Sequence, residues 1–180
     1  MAHAVAANGY AVTTIADIVR AAGVSRRTFY EHFGSKAELL VALYEAASHN
    51  ALKLLKGAID PAHEWQTQVE SALNAYLGCM AQNPVLMRTL FIEILGLGPQ
   101  GLASRRRVNQ EIAGFMLEVI NAGQGAGRRA APLTPVMATA IVGGINELVL
   151  QYIEQDRVAH LQELVEPASE LVRAVTAANS

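Results

Sequence analysis

Cysteine is almost missing from this chain: Cys79 is the only one, which excludes an internal disulfide, and its apolar helical surroundings make it a buried structural thiol. Aromatics are sparse at 6%, and charge of both signs is modest at 17%. Fourteen basic against sixteen acidic side chains leave a net charge of −2, so no excess of positive charge can hold a nucleic acid or an anionic membrane by bulk attraction. The histidines, His3, His32, His49, His63 and His160, are scattered without metal-ligand spacing. With no nucleophile motif and no phosphate-cradling glycine loop either, the chain is not expected to be an enzyme or to carry a metal or cofactor. No strand-like alternation persists. No apolar run is expected to reach the length of a bilayer, and no leader pattern opens the chain, so a cytoplasmic protein without membrane contact is expected. What the sequence does have is aliphatic mass: 52% apolar residues over 180 positions, enough to bury a full core and incompatible with disorder of the whole.

The densest information lies in residues 14–40. Ile15, Ile18, Val19 and Ala22 recur at helical spacing, and Thr14 with Asp17 makes a capping-box start. Gly23 suits a left-handed helix end, Val24 is placed to plug a helix crossing, and Ser25 is a favoured N-cap for a second helix. On that helix Phe29 and Phe33 face inward one turn apart. Arg27 and Glu31 then project outward, flanked by Thr28 and Tyr30, with Arg26 nearer the core side. Such a face suits a major groove: arginine can bond a guanine bidentately, threonine can touch a thymine methyl, glutamate can accept from cytosine, and a good bidentate pair discriminates by about 1–3 kcal/mol. Ser35 and Glu38 predict a further capping box, with Lys36 in the first turn of a helix reaching about Lys56, where free amides and an ammonium suit a phosphate oxygen. The arrangement points to sequence-specific DNA binding.

Gly9-Tyr10, Thr14-Ile15-Ala16-Asp17-Ile18, Ala22-Gly23-Val24-Ser25, Phe29-Tyr30-Glu31-His32-Phe33 and Ser35-Lys36-Ala37-Glu38-Leu39-Leu40 follow one another at fixed spacing. Through these pieces residues 10–45 resemble the DNA-binding domain of the TetR family of bacterial transcriptional regulators. The resemblance implies that Thr14, Tyr30 and Lys36 contact phosphates and that Ser25, Arg26, Arg27 and Thr28 approach bases. Arg27 stands where the family often has a small residue, which makes it a specificity determinant. The resemblance also implies an all-α protein with a helix-turn-helix head over residues 1–45 and a larger effector-binding and dimerisation body over 46–180. Its function would be a regulator, by default a repressor, that binds a near-palindromic double-stranded operator as a homodimer and is released by a small, largely apolar ligand. Members of the family usually begin earlier, with a basic arm and two further turns, whereas Met1 to Ala7 here reads as the second half of a first helix. Across residues 1–50, Arg20, Arg26, Arg27 and Lys36 balance Asp17, Glu31, Glu38 and Glu45. A neutral head leaves a second reading open, a ligand- or partner-sensing helical protein without DNA binding.

Beyond residue 56 the breaks at Pro61, Asn83-Pro84, Gly96 to Pro99, Gly123 to Pro135 and Gln155-Asp156 predict helices near 62–82, 84–96, 101–122, 135–155 and 157–178, with Pro167 kinking or starting the last. Residues 136–153 are apolar on most faces and hold Gly143 and Gly144 in mid-helix, at a propensity cost of about 1 kcal/mol each. Gly143, Gly144, Leu148 and Gln151, with Leu164, Leu171, Val172 and Val175 of the last helix, are the expected two-fold interface of a four-helix bundle. Trp65, Tyr76, Met80, Met87, Phe91, Phe115 and Met116 are the candidate pocket wall, with Asn146 or Glu147 as polar contacts. Arg105-Arg106-Arg107 and Arg128-Arg129 read as solvated faces, with a second nucleic-acid patch as the alternative.

Overall fold

The computed structural model describes residues 1–122 and 132–177, and no strand occurs among them. Arg128 and Arg129 lie outside the described residues. Three short helices come first, α1 (Ala2–Asn8), α2 (Ile15–Ala22) and α3 (Arg26–His32), then the long α4 (Lys36–Gly57). After α5 (Trp65–Ala81) and α6 (Pro84–Arg88), a π-helical turn over Thr89–Glu93 leads into the single turn α7 (Ile94–Gly96). Next come α8 (Pro99–Ala122), α9 (Pro135–Glu154), a 3₁₀ segment over Val158–Leu164 and α10 (Val165–Ala177).

Local chemistry sets most of these boundaries. Asn83 accepts a hydrogen bond from the Leu86 amide and Thr134 one from the Met137 amide, and each is followed by a proline where a helix needs no N–H. Two expectations give way to tertiary fit. The helix expected over 84–96 is interrupted by the π turn, at whose start the buried Thr89 hydroxyl donates to the Val85 carbonyl at 3.0 Å, a back-bond that distorts helices. The helix expected over 157–178 is split. Pro167 is the third residue of α10, inside the first turn where its missing N–H costs nothing, and the chain before it coils as 3₁₀.

The body packs α4 on α5 and α8, α8 on α9, and the 3₁₀ segment and α10 on α5 and α9. One continuous core runs through it, from Leu40 and Leu52 through Leu77, Leu90 and Ile94 to Ile141, Val149, Ile153 and Leu161. α9 has the length and mean hydropathy, 1.4, to cross a membrane, which corrects the expectation that no apolar run is long enough. Its Ile141, Ile145, Val149 and Ile153 are buried in that core, so its apolarity serves packing between helices. The three-helix head meets the body through α4 and also through α1, which rests on α6 and the π turn.

Candidate functional site

The head presents α3 on a small set of local hydrogen bonds. At the start of α2, the Thr14 hydroxyl and amide both donate to the Asp17 carboxylate, at 2.6 and 3.0 Å, and the Asp17 amide donates back at 3.3 Å. Those Thr14 donors hold the Asp17 carboxyl below the usual range, with Arg20 at 3.2 Å contributing less. Gly23 ends α2 at φ 67°, a left-handed conformation that costs other L-residues about 1–2 kcal/mol. The Ser25 hydroxyl then accepts from the Thr28 amide at 3.0 Å and starts α3. Phe29 is buried with the half-buried Phe33 ring 5.8 Å away, as their spacing predicts.

With that side inward, Arg26, Arg27, Tyr30, Glu31 and His32 are exposed and Thr28 is half-buried. Tyr30, 58% exposed, stands edge-on to Phe29 with ring centres 5.3 Å apart, an orientation that fixes the phenol at the surface. Arg27 donates to Glu31 at 3.1 Å, one turn along. Arg26 is exposed rather than turned to the core side, because at the first position of a seven-residue helix nothing packs over it.

Two further expectations in the head are corrected, and a third residue, Lys36, has partners within the chain that its motif does not announce. Val24 is 45% exposed and plugs nothing: its amide bonds the Val19 carbonyl to close the helix end, and the side chain stays outside. Ser35 accepts from the Glu38 amide at 3.1 Å, but the Glu38 carboxylate takes the Gly34 amide at 2.6 Å rather than that of Ser35, so the box closes one residue early. Lys36 points back into the head, where its ammonium donates to the carbonyls of Tyr10 at 2.5 Å and Thr13 at 2.8 Å and sits 4.1 Å from the Tyr10 ring centre. Two of its three N–H donors thus tie α4 to the loop between α1 and α2. The buried Thr13 hydroxyl, whose one hydrogen goes to the Gly9 carbonyl at 2.7 Å with that of Ala4 at 3.1 Å beside it, completes that tie and carries no motif by which sequence reasoning could have found it.

In the body, the candidate pocket residues separate into two cavities. Trp65, Phe115 and Met116 line an apolar cavity of about 60 Å³, together with residues such as Leu55, Val69 and Ile112. Tyr76, Met80, Phe91 and Asn146 line a smaller one of about 20 Å³, with Tyr44, Ser48, Arg105 and Asn109. Met87 lines neither of them, being buried in the core on the short α6. Glu147 is exposed, one residue past the buried Asn146 and therefore turned about 100° away on the helix. Tyr44, Ser48, Arg105 and Asn109 were missed because each, read on its own helix, looks like a surface position.

That polar cavity has a definite electrostatic character. Burial raises the Tyr76 hydroxyl far above the usual phenol range, and burial raises Tyr44 as well, with the Arg105 charge pulling the other way. Asn146 donates to Asn109 at 3.0 Å across α9 and α8. The three consecutive arginines of α8 go separate ways: Arg105 lines the cavity, Arg106 is exposed, and Arg107 pairs with Glu45 of α4. Glu45 also accepts from Ser104 at 2.8 Å, and the Arg107 hydrogen bond is the main cause of its lowered carboxyl pKa. Cys79 is half-buried, with the Asn50 amide 3.7 Å from its sulfur.

The expected interface residues also divide. Leu164 and Val172 are buried in the chain's own core, because the 3₁₀ segment and α10 pack on α5, and so they are not available to a partner. Gly143, Gly144, Leu148, Leu171 and Val175 are half-buried and Gln151 is exposed. Gly144 lies close beneath Leu171, where an added Cβ would stand 3.4 Å from a leucine methyl, whereas a Cβ at Gly143 would meet open space.

Residues 2–43 match the family described as bacterial regulatory proteins, tetR family. A curated relative, the uncharacterized HTH-type transcriptional regulator YxbF of Bacillus subtilis, is 31% identical over 77 residues, 43% of this chain. The match spans about a fifth of that relative's length, 20%. Two solved structures share the fold over nearly the whole chain. One is the fatty acid degradation regulator FadR from Bacillus halodurans, at TM-score 0.76 and 18% identity over 97% of this chain and 89% of that one. The other is a bacterial regulatory protein in the tetR family from Rhodococcus RHA1, at TM-score 0.71 and 24% identity over 95% and 92%. The N-terminal segment thus matches the DNA-binding domain of the tetR family, and the all-helical fold behind it is the fold of the solved structures named above.

Proposed function

We propose that this chain is a sequence-specific DNA-binding transcriptional regulator that acts as a homodimer on a near-palindromic operator and is released from it by a small ligand held in the body. The observation that carries the reading is α3: within the matched segment it holds Arg26, Arg27 and Tyr30 outward on a helix fixed by Gly23, Ser25 and the Phe29 anchor. Arg27 is the base-reading side chain, and Glu31 keeps its guanidinium extended along the outer face until a guanine replaces it. Thr28 and Arg26 read or brace beside it. Tyr30 and the remaining N–H of Lys36 take phosphate oxygens on either side, and the Thr14 hydroxyl does so by exchanging the Asp17 carboxylate for a phosphate.

Dimerisation uses the outward surfaces of α9 and α10, where Gly144, Leu148, Leu171 and Val175 leave a shallow apolar face edged by Gln151. Two heads related by a two-fold axis read half-sites about 34–36 Å apart. Release follows when a ligand binds better to an arrangement whose heads no longer match that spacing. Two elements carry the change, since α4 runs from the head to the apolar cavity and the π turn touches α1 while its Phe91 lines the polar cavity. Repression is the family's default mode of action and is adopted here.

Selection from random duplexes with the purified chain at near-physiological salt tests the reading. Enrichment of a near-palindrome is expected, with base preference relaxed by Arg27→Ala and affinity lowered without change of preference by Tyr30→Phe. Failure to enrich any sequence would sink the regulator in favour of a ligand-sensing protein that does not bind DNA.

A further inference from the structure

The polar and apolar cavities lie in series along the same three helices. Tyr44 of α4, Tyr76 of α5 and Arg105 of α8 line the first, and Leu55, Leu73 and Ile112 of those same helices, one to three turns away, line the second. Their linings are opposite in character. Every residue around the second cavity is apolar. The first contains a guanidinium that, among the described residues, makes neither an ion pair nor a hydrogen bond, while its neighbour Arg107 has Glu45. The Tyr76 hydroxyl, on a buried side chain in the same cavity, also has no hydrogen-bond partner among the described residues. A half-buried cation and the phenol of a buried side chain line the same small space without a partner there, and an anion is the group that accepts from both.

We propose that the two cavities are head and tail compartments of one site, and that its ligand is a single-chain aliphatic carboxylate. The carboxylate accepts two parallel hydrogen bonds from Arg105 and a third from the Tyr76 hydroxyl. Its chain follows α8 towards Trp65, Phe115 and Met116. Arg105 and Met116 are eleven residues apart on α8, a rise of about 16 Å, which an extended chain of about a dozen carbons spans. The head cavity has room for little more than one water. Entry of the ligand must therefore part α4 and α5 from α8, which is the displacement a ligand-driven release of DNA requires. The proposal rests on the reading of the body as an effector site and names the ligand's chemistry.

Trp65, the chain's one tryptophan, lines the tail cavity, so its emission reports occupancy. The full chain is titrated with dodecanoate below its micelle-forming concentration, and in parallel with dodecanol and dodecyltrimethylammonium. A saturable change in emission is expected with dodecanoate, at least about tenfold tighter than with dodecanol, a ratio in keeping with hydrogen bonds to a charged group. Arg105→Gln should abolish that preference, and Tyr76→Phe, which keeps the ring, should weaken dodecanoate severalfold without affecting dodecanol. Equal binding of acid and alcohol, preference for the cation, or no response to any of the three overturns the proposal, and so does a folded Arg105→Gln that keeps the preference. Should Arg105→Gln fail to fold by circular dichroism, the acid-to-alcohol ratio of the parent and of Tyr76→Phe decides. Duplex selection on the same sample without amphiphile separates the two claims: an operator without dodecanoate binding removes only the ligand assignment, and dodecanoate binding without an operator removes only the regulator.

Discussion

Glu45, on α4 where head and body meet, has a measurable signature. It joins α4 to α8 through Arg107 and Ser104, and these donors, Arg107 first, hold its carboxyl below its ordinary value of 4.5. A carboxylate depressed in the folded state stabilises the fold fully above its unfolded pKa and loses that contribution as pH falls through the lower folded value. The stability gap between the parent and Glu45→Gln should therefore be largest near pH 7 and should close below pH 4.5. Solvent screening keeps it to about 1 kcal/mol or less. Urea unfolding of both proteins at pH 7 and pH 3 measures it, and a gap independent of pH would remove the charge from the account. Gly23 makes a sharper prediction with no pH dependence: at φ 67°, alanine should cost about 1–2 kcal/mol, all of it in the head. If hydrogen exchange in α2 and α3 were unchanged in Gly23→Ala, the turn would not be what holds α3.

Among the elements, α8 depends on one close approach. Gly98 turns the chain at φ 61°, and three residues later Gly101 packs so tightly on the preceding turn that an added Cβ would stand 1.8 Å from the Ile94 carbonyl oxygen. In an open helix, glycine to alanine would gain about 1 kcal/mol of propensity. Here the contact is with backbone and cannot relax by a rotamer change, so overpacking should win: Gly101→Ala is expected to destabilise by about 3 kcal/mol or more, read as a lower urea midpoint. An unchanged midpoint would mean that α8 is positioned by its other contacts alone. Elements of this kind mark the limit of the sequence. The starts of α2, α3 and α4 were legible because a cap and its amide lie within three residues of each other, as at Ser25 and Thr28, and those of α6 and α9 because a proline marks a break there. The π turn and the 3₁₀ segment were not, because they answer to neighbours far along the chain. Apolar periodicity marked Leu164 and Val172 as needing cover, yet it is silent on whether a helix of the same chain or of a partner provides it.

At the scale of the whole molecule, the scarcity of positive charge becomes a prediction about DNA binding. The reading face was legible in the sequence because its residues follow one another on a single helix. The polar cavity was legible only in part: Tyr76 and Asn146 stood among the candidate wall residues, but Tyr44 and Arg105 come from other helices and join them only in the fold. Of the cations in the head, Arg20 lies against Asp17, Arg27 against Glu31, and Lys36 spends two donors on carbonyls, so Arg26 is the one with neither an ion pair nor a hydrogen bond among the described residues. If Arg26, Arg27 and Lys36 each displace one counterion per head, a dimer releases about six, and the logarithm of affinity should fall with the logarithm of salt at a slope no steeper than about −5. Most of the binding energy must then come from base contacts and from neutral donors such as Tyr30, so specific and non-specific duplexes should differ widely even at low salt. A slope well beyond −5 on the selected operator would require cations outside the head. Arg106, exposed and next to the paired Arg107, would be the place to look, and Arg106→Ala would then have to restore the shallower slope.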